Sequence, residues 1–234
     1  GAHYLGWTLE TYGNVNVANS LYAIKTVVYE QKRIDRATLL KAMKANFVGY
    51  EKERKILMDV EKYGNDLPGV DTLAQEFHNW LCDTVRSQRE RTSLHSYMIV
   101  IINNEANTIL GRFTGASADG RLAKEPMANG NNPSSGTDVN GVTAMLNSLV
   151  KLDTHHHAGA VQNMKFSKDL FNNHRDILES LLATYFDNGG AQAMITVVSK
   201  DELEQAMVHP EKYGHLMVRV GGFSARFVTL APDV

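Results

Sequence analysis

The spacing of apolar positions predicts a chain that alternates helices with short strands. Asp35 stands as an N-cap before a helix over about 36–47, whose Leu39, Leu40, Met43 and Phe47 share one face. A second helix is predicted over about 70–88. There Val70, Leu73, Phe77, Leu81 and Val85 recur at helical spacing behind the helix-starting Pro68 and Asp71. Residues 96–102 are β-branched and nearly continuously apolar, as in a strand buried on both faces.

Between about 110 and 141 this periodicity stops. Gly111, Gly115, Gly120, Gly130, Gly136 and Gly141 fall among Asn, Ser, Asp and Pro133, which reads as a long loop of the functional or disordered kind. Periodicity resumes with a helix near 141–150, a strand near 159–166 and a helix over about 173–187 closed by Asn188-Gly189-Gly190. Residues 193–198 read as a strand, and Ser199 with Glu202 forms a capping-box pattern for a short helix over 200–208. Residues 215–220 then read as a strand running into Gly221-Gly222. Strand, short helix and strand in that order suggest a parallel or mixed sheet, so the fold class is α/β.

Composition narrows the function classes. Hydrophobic residues at 43% and charged residues at 21% suit a globular protein with a sizeable core. A formal net charge of −2 gives no electrostatic reason to expect nucleic acid or an anionic membrane as partner. No apolar run reaches the roughly 18 residues of a membrane span, and no signal peptide opens the chain. Cys82 is the single cysteine, which excludes an internal disulfide and fits a reducing, cytoplasmic compartment. The first residue is Gly1 and not Met, so the sequence is expected to be part of a longer chain.

The most informative text is Met217-Val218-Arg219-Val220-Gly221-Gly222-Phe223-Ser224-Ala225-Arg226-Phe227. A Gly-Gly pair after a strand is ordinarily a turn that needs positive φ. The longer string, however, resembles the signature of glycyl radical enzymes of the pyruvate formate-lyase-like superfamily. Further segments resemble that family in the expected order. They are residues 16–25 (NVANSLYAIK), Lys62-Tyr63-Gly64-Asn65-Asp66, residues 114–121 (TGASADGR), Gly136-Thr137-Asp138, Asn140-Gly141-Val142-Thr143-Ala144 and Gln162-Asn163-Met164-Lys165-Phe166.

The resemblance implies the C-terminal portion of a ten-stranded α/β barrel with its glycyl radical loop. Residues 1–110 would be the tail of the barrel domain, and 111–234 the glycyl radical domain, truncated at its C-terminus. It implies radical storage on Gly222, with Arg219, Phe223 and Arg226 shaping the loop. Glycine suits this role because its Cα radical delocalises between the flanking amide nitrogen and carbonyl, with no side chain to block planarity. No bound cofactor is expected. The radical would be a post-translational modification, installed by a radical SAM activating enzyme that uses S-adenosylmethionine and its own iron–sulfur cluster. The implied partners are that enzyme, a small-molecule substrate and further copies in a full-length homo-oligomer. The thiyl cysteine would lie upstream, and the fragment alone would be inactive.

Other residues carry weaker signals. Cys82 lies beside Leu81 on a helix, outside the family's cysteine context, and reads as packing. His155-His156-His157 lacks acidic or Cys partners at ligand spacing, and histidines in a strand alternate between faces. It reads as a solvent-facing or partner-facing segment, and no metal site is expected. Asn163 and Lys165 fall on one face of a strand, toward an active site or the surface. Asp119 and Arg121 pair to brace the Gly-rich loop, or Arg121 holds a substrate carboxylate through its planar fork.

The implied chemistry is that of an anaerobic radical lyase or acyltransferase. Asn131-Asn132-Pro133 is nearer the text of formate acetyltransferases, whereas Gly221 and Phe223 resemble members acting on hydrocarbon or aromatic substrates, fumarate-adding synthases and arylacetate decarboxylases. Two other classes remain open: a spare-part radical subunit, and a non-catalytic α/β module whose Gly-Gly is only a turn.

Overall fold

The computed structural model describes residues 3–101, 105–220 and 223–230. Strand β1 (Gly6–Glu10) leads into helix α1 (Asn14–Ala23), which runs on through a π-helical stretch, Ile24–Glu30. Helices α2 (Arg36–Lys44), α3 (Glu51–Met58) and α4 (Pro68–Ser87) follow, then β2 (Ser96–Val100) and α5 (Ala106–Gly111). Residues 112–140 hold turns but neither helix nor strand. Beyond them come α6 (Gly141–Leu149), β3 (Asn163–Phe166), α7 (Lys168–Asn173), α8 (Arg175–Asp187), β4 (Met194–Val197), α9 (Lys200–Val208), β5 (Met217–Val220) and β6 (Phe223–Arg226).

The fold is α/β, and among the described residues its strands form three two-stranded sheets. β1 lies parallel to β2, and β3 parallel to β4; only β5 and β6 are antiparallel. The expected strand over 159–166 changes partner midway. Ile101 bridges to Ala160 in parallel, while from Asn163 onward the chain pairs with β4. Parallel pairings thus follow one another from β1 to β4, through the single bridge between Ile101 and Ala160.

Apolar packing joins the early and late parts of the chain. Val15, Ala18, Tyr63, Val70 and Ala74 enclose Ala128 and Leu152, and Cys82, Val85, Ile99 and Ile101 close over Ala160. Helix α4 is the longest element; Pro68 opens it, and Val70, Ala74, His78, Cys82 and Val85 form its buried stripe at helical spacing. Cys82 is fully buried there, and burial pushes its thiol up to about 11, as suits a packing residue.

Several expectations are corrected. Helix α2 has its Asp35 cap, with the Thr38 amide donating to Oδ1 at 2.9 Å, but stops at Lys44. Asn46 and Phe47 then take positive φ, and Phe47 still reaches the core because its amide returns to the Ala42 carbonyl. The helix over 173–187 is preceded by a separate turn, α7, capped by Ser167; the break falls at His174. The Ser199–Glu202 capping box is formed on α9. However, β5 does not add to β4 by a backbone ladder; it pairs with β6 instead. The histidine run lies in a turn, not a strand. His155 is exposed, but His157 is buried edge-on against His78.

Candidate functional site

Residues 112–140 have no ladder of their own, so their backbone groups need partners elsewhere. Buried asparagine side chains supply many of them. Asn16 accepts the Ala128 amide at 2.7 Å and donates to Asp119 Oδ2 at 2.8 Å. Asn65 donates to the Thr137 carbonyl at 2.7 Å and accepts the Val139 and Asn140 amides at 2.8 and 3.0 Å. Asn107 donates to the Met127 carbonyl at 3.1 Å, and Asn46 accepts the Ala123 amide at 2.7 Å. The asparagines on α1 and before α4 thus act as a substitute strand edge for the loop.

Arg121, about nine-tenths buried, works the same way from inside the loop. Its guanidinium donates to the carbonyls of Leu122 at 3.0 Å and Glu125 at 2.8 Å, and to that of Gly115. The anticipated Asp119–Arg121 side-chain pair is not the contact formed. Asp119 instead accepts the Arg121 backbone amide at 3.3 Å and the Ser117 hydroxyl at 2.6 Å.

The pinned loop walls a cavity of about 980 Å³. Asp119 and Arg121 from the loop and Asn163 and Lys165 from β3 all line it, together with Asn16, Arg54 and Lys62. Asn163 is held by Asn129 at 2.9 Å through its amide nitrogen, while its side-chain oxygen is buried without a partner. The Lys165 ammonium is exposed and has no hydrogen-bond or ion-pair partner among the described residues. Arg54 is partly engaged, its Nε donating to the Gly120 carbonyl at 2.8 Å.

Lys62 is the member of this set that its sequence context disguises. Burial pushes its ammonium down to about 8, with the Asp119 charge opposing. Its three N–H groups meet three carbonyls at the end of α3, those of Leu57 (2.8 Å), Met58 (3.1 Å) and Val60 (2.6 Å). Three acceptors for three donors keep it protonated at neutral pH, so it caps the helix and is not a base. Chemically, the cavity offers the free Lys165 ammonium and a largely polar lining to a small polar molecule.

The hairpin β5–β6 stands beside this wall. Arg219 pairs with Ser224 and Val220 with Phe223. Gly221 and Gly222, between the two strands, lie outside the described residues. Arg219 and Arg226 are exposed, and the Arg219 guanidinium donates to Ser224 Oγ at 3.2 Å. Sequence reasoning missed Asn16, Lys62 and Thr196 as individual residues. The available signal was a polar residue recurring inside otherwise apolar or motif text.

Comparison with known proteins agrees with this geometry. Residues 1–111 match the family described as pyruvate formate lyase-like, and residues 127–228 the family described as glycine radical. The trans-4-hydroxy-L-proline dehydratase of Clostridioides difficile is 32% identical over 99% of this chain and 30% of that protein. The glycerol-bound B12-independent glycerol dehydratase of Clostridium butyricum superposes with a TM-score of 0.91 at 34% identity, covering 100% of this chain and 30% of that one. A Roseburia inulinivorans structure described for 1,2-propanediol dehydration gives 0.92 at 36%, covering 100% and 31%. The chain thus spans less than a third of the length of these relatives. No helix among the described residues is long and apolar enough to cross a membrane.

Proposed function

The chain belongs to the glycyl radical enzymes, matching their C-terminal region, and we propose that within the whole protein it stores a backbone radical on Gly222 and relays it to an upstream cysteine. In this reading residues 1–110 are barrel tail and 111–234 the radical domain. Arg219, Phe223 and Arg226 hold the radical loop. The relay is a hydrogen-atom transfer: a thiol S–H breaks, a Gly222 Cα–H forms, and the resulting thiyl radical takes a hydrogen atom from substrate.

The observation that carries the reading is a juxtaposition. The hairpin whose strands flank residues 221 and 222 docks on Thr196, the register partner of cavity-lining Lys165. Asp119 and Arg121 brace the loop, while Asn163 and Lys165 face the substrate. The substrate we infer is a small polar molecule that loses water or a comparable leaving group, which makes the enzyme a radical lyase. The polar cavity and the dehydratases among the relatives support this over acyl transfer. A radical SAM activating enzyme, a homo-oligomeric full-length form and a cytoplasmic setting complete the proposal.

The test is anaerobic electron paramagnetic resonance of the full-length protein after incubation with its activating enzyme. A doublet lost in Gly222→Ala and kept in Gly221→Ala is the expected result; no signal from the wild type refutes it. On exposure to air, mass spectrometry should find the chain cut at Gly222.

A further inference from the structure

The contact that seats the hairpin is made by a side chain where a backbone would have been ordinary. The Arg219 amide donates to Thr196 Oγ at 3.0 Å. In an antiparallel pair, amides alternate between pointing inward to the partner strand and outward. An outward Arg219 amide makes Arg219–Ser224 a non-hydrogen-bonded pair, in which side chains approach closely. The guanidinium of Arg219 accordingly reaches Ser224 Oγ at 3.2 Å. The outward edge of β5 therefore faces β4, yet no ladder joins them.

Thr196 sits in the middle of β4, opposite Lys165 of β3 in parallel register, so the two side chains stand on the same face. It is 7% exposed, whereas Lys165 is open to the cavity. Below this point the hairpin is fixed by apolar contact, since Val218 packs against Val198, Ala206 and Leu216. Arg219 is three residues before Gly222, so among the described residues the Thr196 bond is the last link to the sheet ahead of the glycines.

We propose that Thr196 is a positioning residue for the radical site, its hydroxyl setting the position of the hairpin relative to β4. The proposal rests on the Gly222 reading and adds to it the side chain that locates the storage residue. It touches neither substrate nor the radical, and acts through the Arg219 backbone.

The experiment uses the full-length protein and two readouts. Amide hydrogen exchange at Arg219, measured before activation, reports the contact itself. Thr196→Val should speed it roughly tenfold relative to the amide of Val218, the scale of one lost hydrogen bond. Thr196→Ser, which keeps the acceptor, should stay within about twofold of wild type on the same scale. After anaerobic activation, the Gly222 doublet of Thr196→Val should broaden or change its splitting and decay faster, with Thr196→Ser again close to wild type. If the valine variant does not fold, Thr196→Ala deletes the same acceptor and carries the same expectations. A wild-type doublet unchanged in the valine or alanine variant overturns the positioning role alone. Unchanged Arg219 exchange in that variant does so as well. A wild type that never acquires a doublet overturns the Gly222 reading, and the positioning role with it.

Discussion

Replacing Asn65 with alanine is the sharpest probe of how the Gly-rich loop is held. The side chain is 4% exposed and makes four hydrogen bonds: to the Lys62 and Thr137 carbonyls at 3.0 and 2.7 Å, and from the Val139 and Asn140 amides at 2.8 and 3.0 Å. Each is worth about 1 kcal/mol net, and groups left buried without partners cost more. Water can reach part of the loop backbone, so the expected loss is about 3–4 kcal/mol, a large fraction of a domain's typical 5–15 kcal/mol. Asn65→Asp separates acceptor from donor. It keeps an oxygen for the two amides but sets its second oxygen against two carbonyls, so at neutral pH it should also destabilise. Part of that loss should return on acidification, as the protonated carboxyl regains one donor. Urea midpoints give the magnitude, and limited proteolysis within residues 131–140 gives the location. A loss under about 1 kcal/mol for Asn65→Ala, with no faster cleavage there, would refute the idea that side chains substitute for a strand edge.

Two further outcomes are expected. His157 is buried and its pKa is pushed down to about 4, by burial first and by neighbouring His78 second. The unfolded chain binds that proton more readily, so stability should fall as pH drops from about 6.5 to 4; His157→Gln should flatten that limb in pH-dependent urea unfolding. Gly111→Ala should lower the melting temperature by an amount corresponding to about 2 kcal/mol, since the added Cβ would stand 2.6 Å from the Glu125 carbonyl oxygen; an unshifted melt would contradict the close approach of α5 to the loop.

Elements with a local cause were legible in the sequence. Helix α4 declares itself through Pro68, Asp71 and helical spacing, although its buried stripe runs over Ala74, His78 and Cys82 while the expected Leu73, Phe77 and Leu81 are only half-buried. Helix α9 declares itself through its capping box. The α/β class followed from their alternation with short apolar strands. Helix α1 was not legible because two residues of its buried face are Asn16 and Asn19, whose partners lie in the loop and near Tyr63. The early end of α2 is similarly non-local: Asn46 leaves the helix to cap Ala123. The burial of His157 depends on His78, which no spacing rule connects to it. At the site, the residues lining the cavity were named as Asp119, Arg121, Asn163 and Lys165, but their companions Arg54 and Lys62 were not. Lys62 reads as an ordinary surface lysine until the end of α3 surrounds it.

The asparagine anchors also have a kinetic consequence. Asn16 and the Ala128 amide it holds are 112 positions apart, and Asn65 reaches residues more than 70 positions ahead. Bonds of that span are the last to reward the chain for closing its loops, and such topologies fold slowly. These four anchors (Asn16, Asn46, Asn65, Asn107) precede the loop residues they hold, so during synthesis they emerge from the ribosome before the loop does, while Val161 and Asn163, which hold residues 129–132, emerge after it. The loop is therefore the late-ordering segment, and a lesion in α1 should show itself as slow maturation of a stretch a hundred residues away.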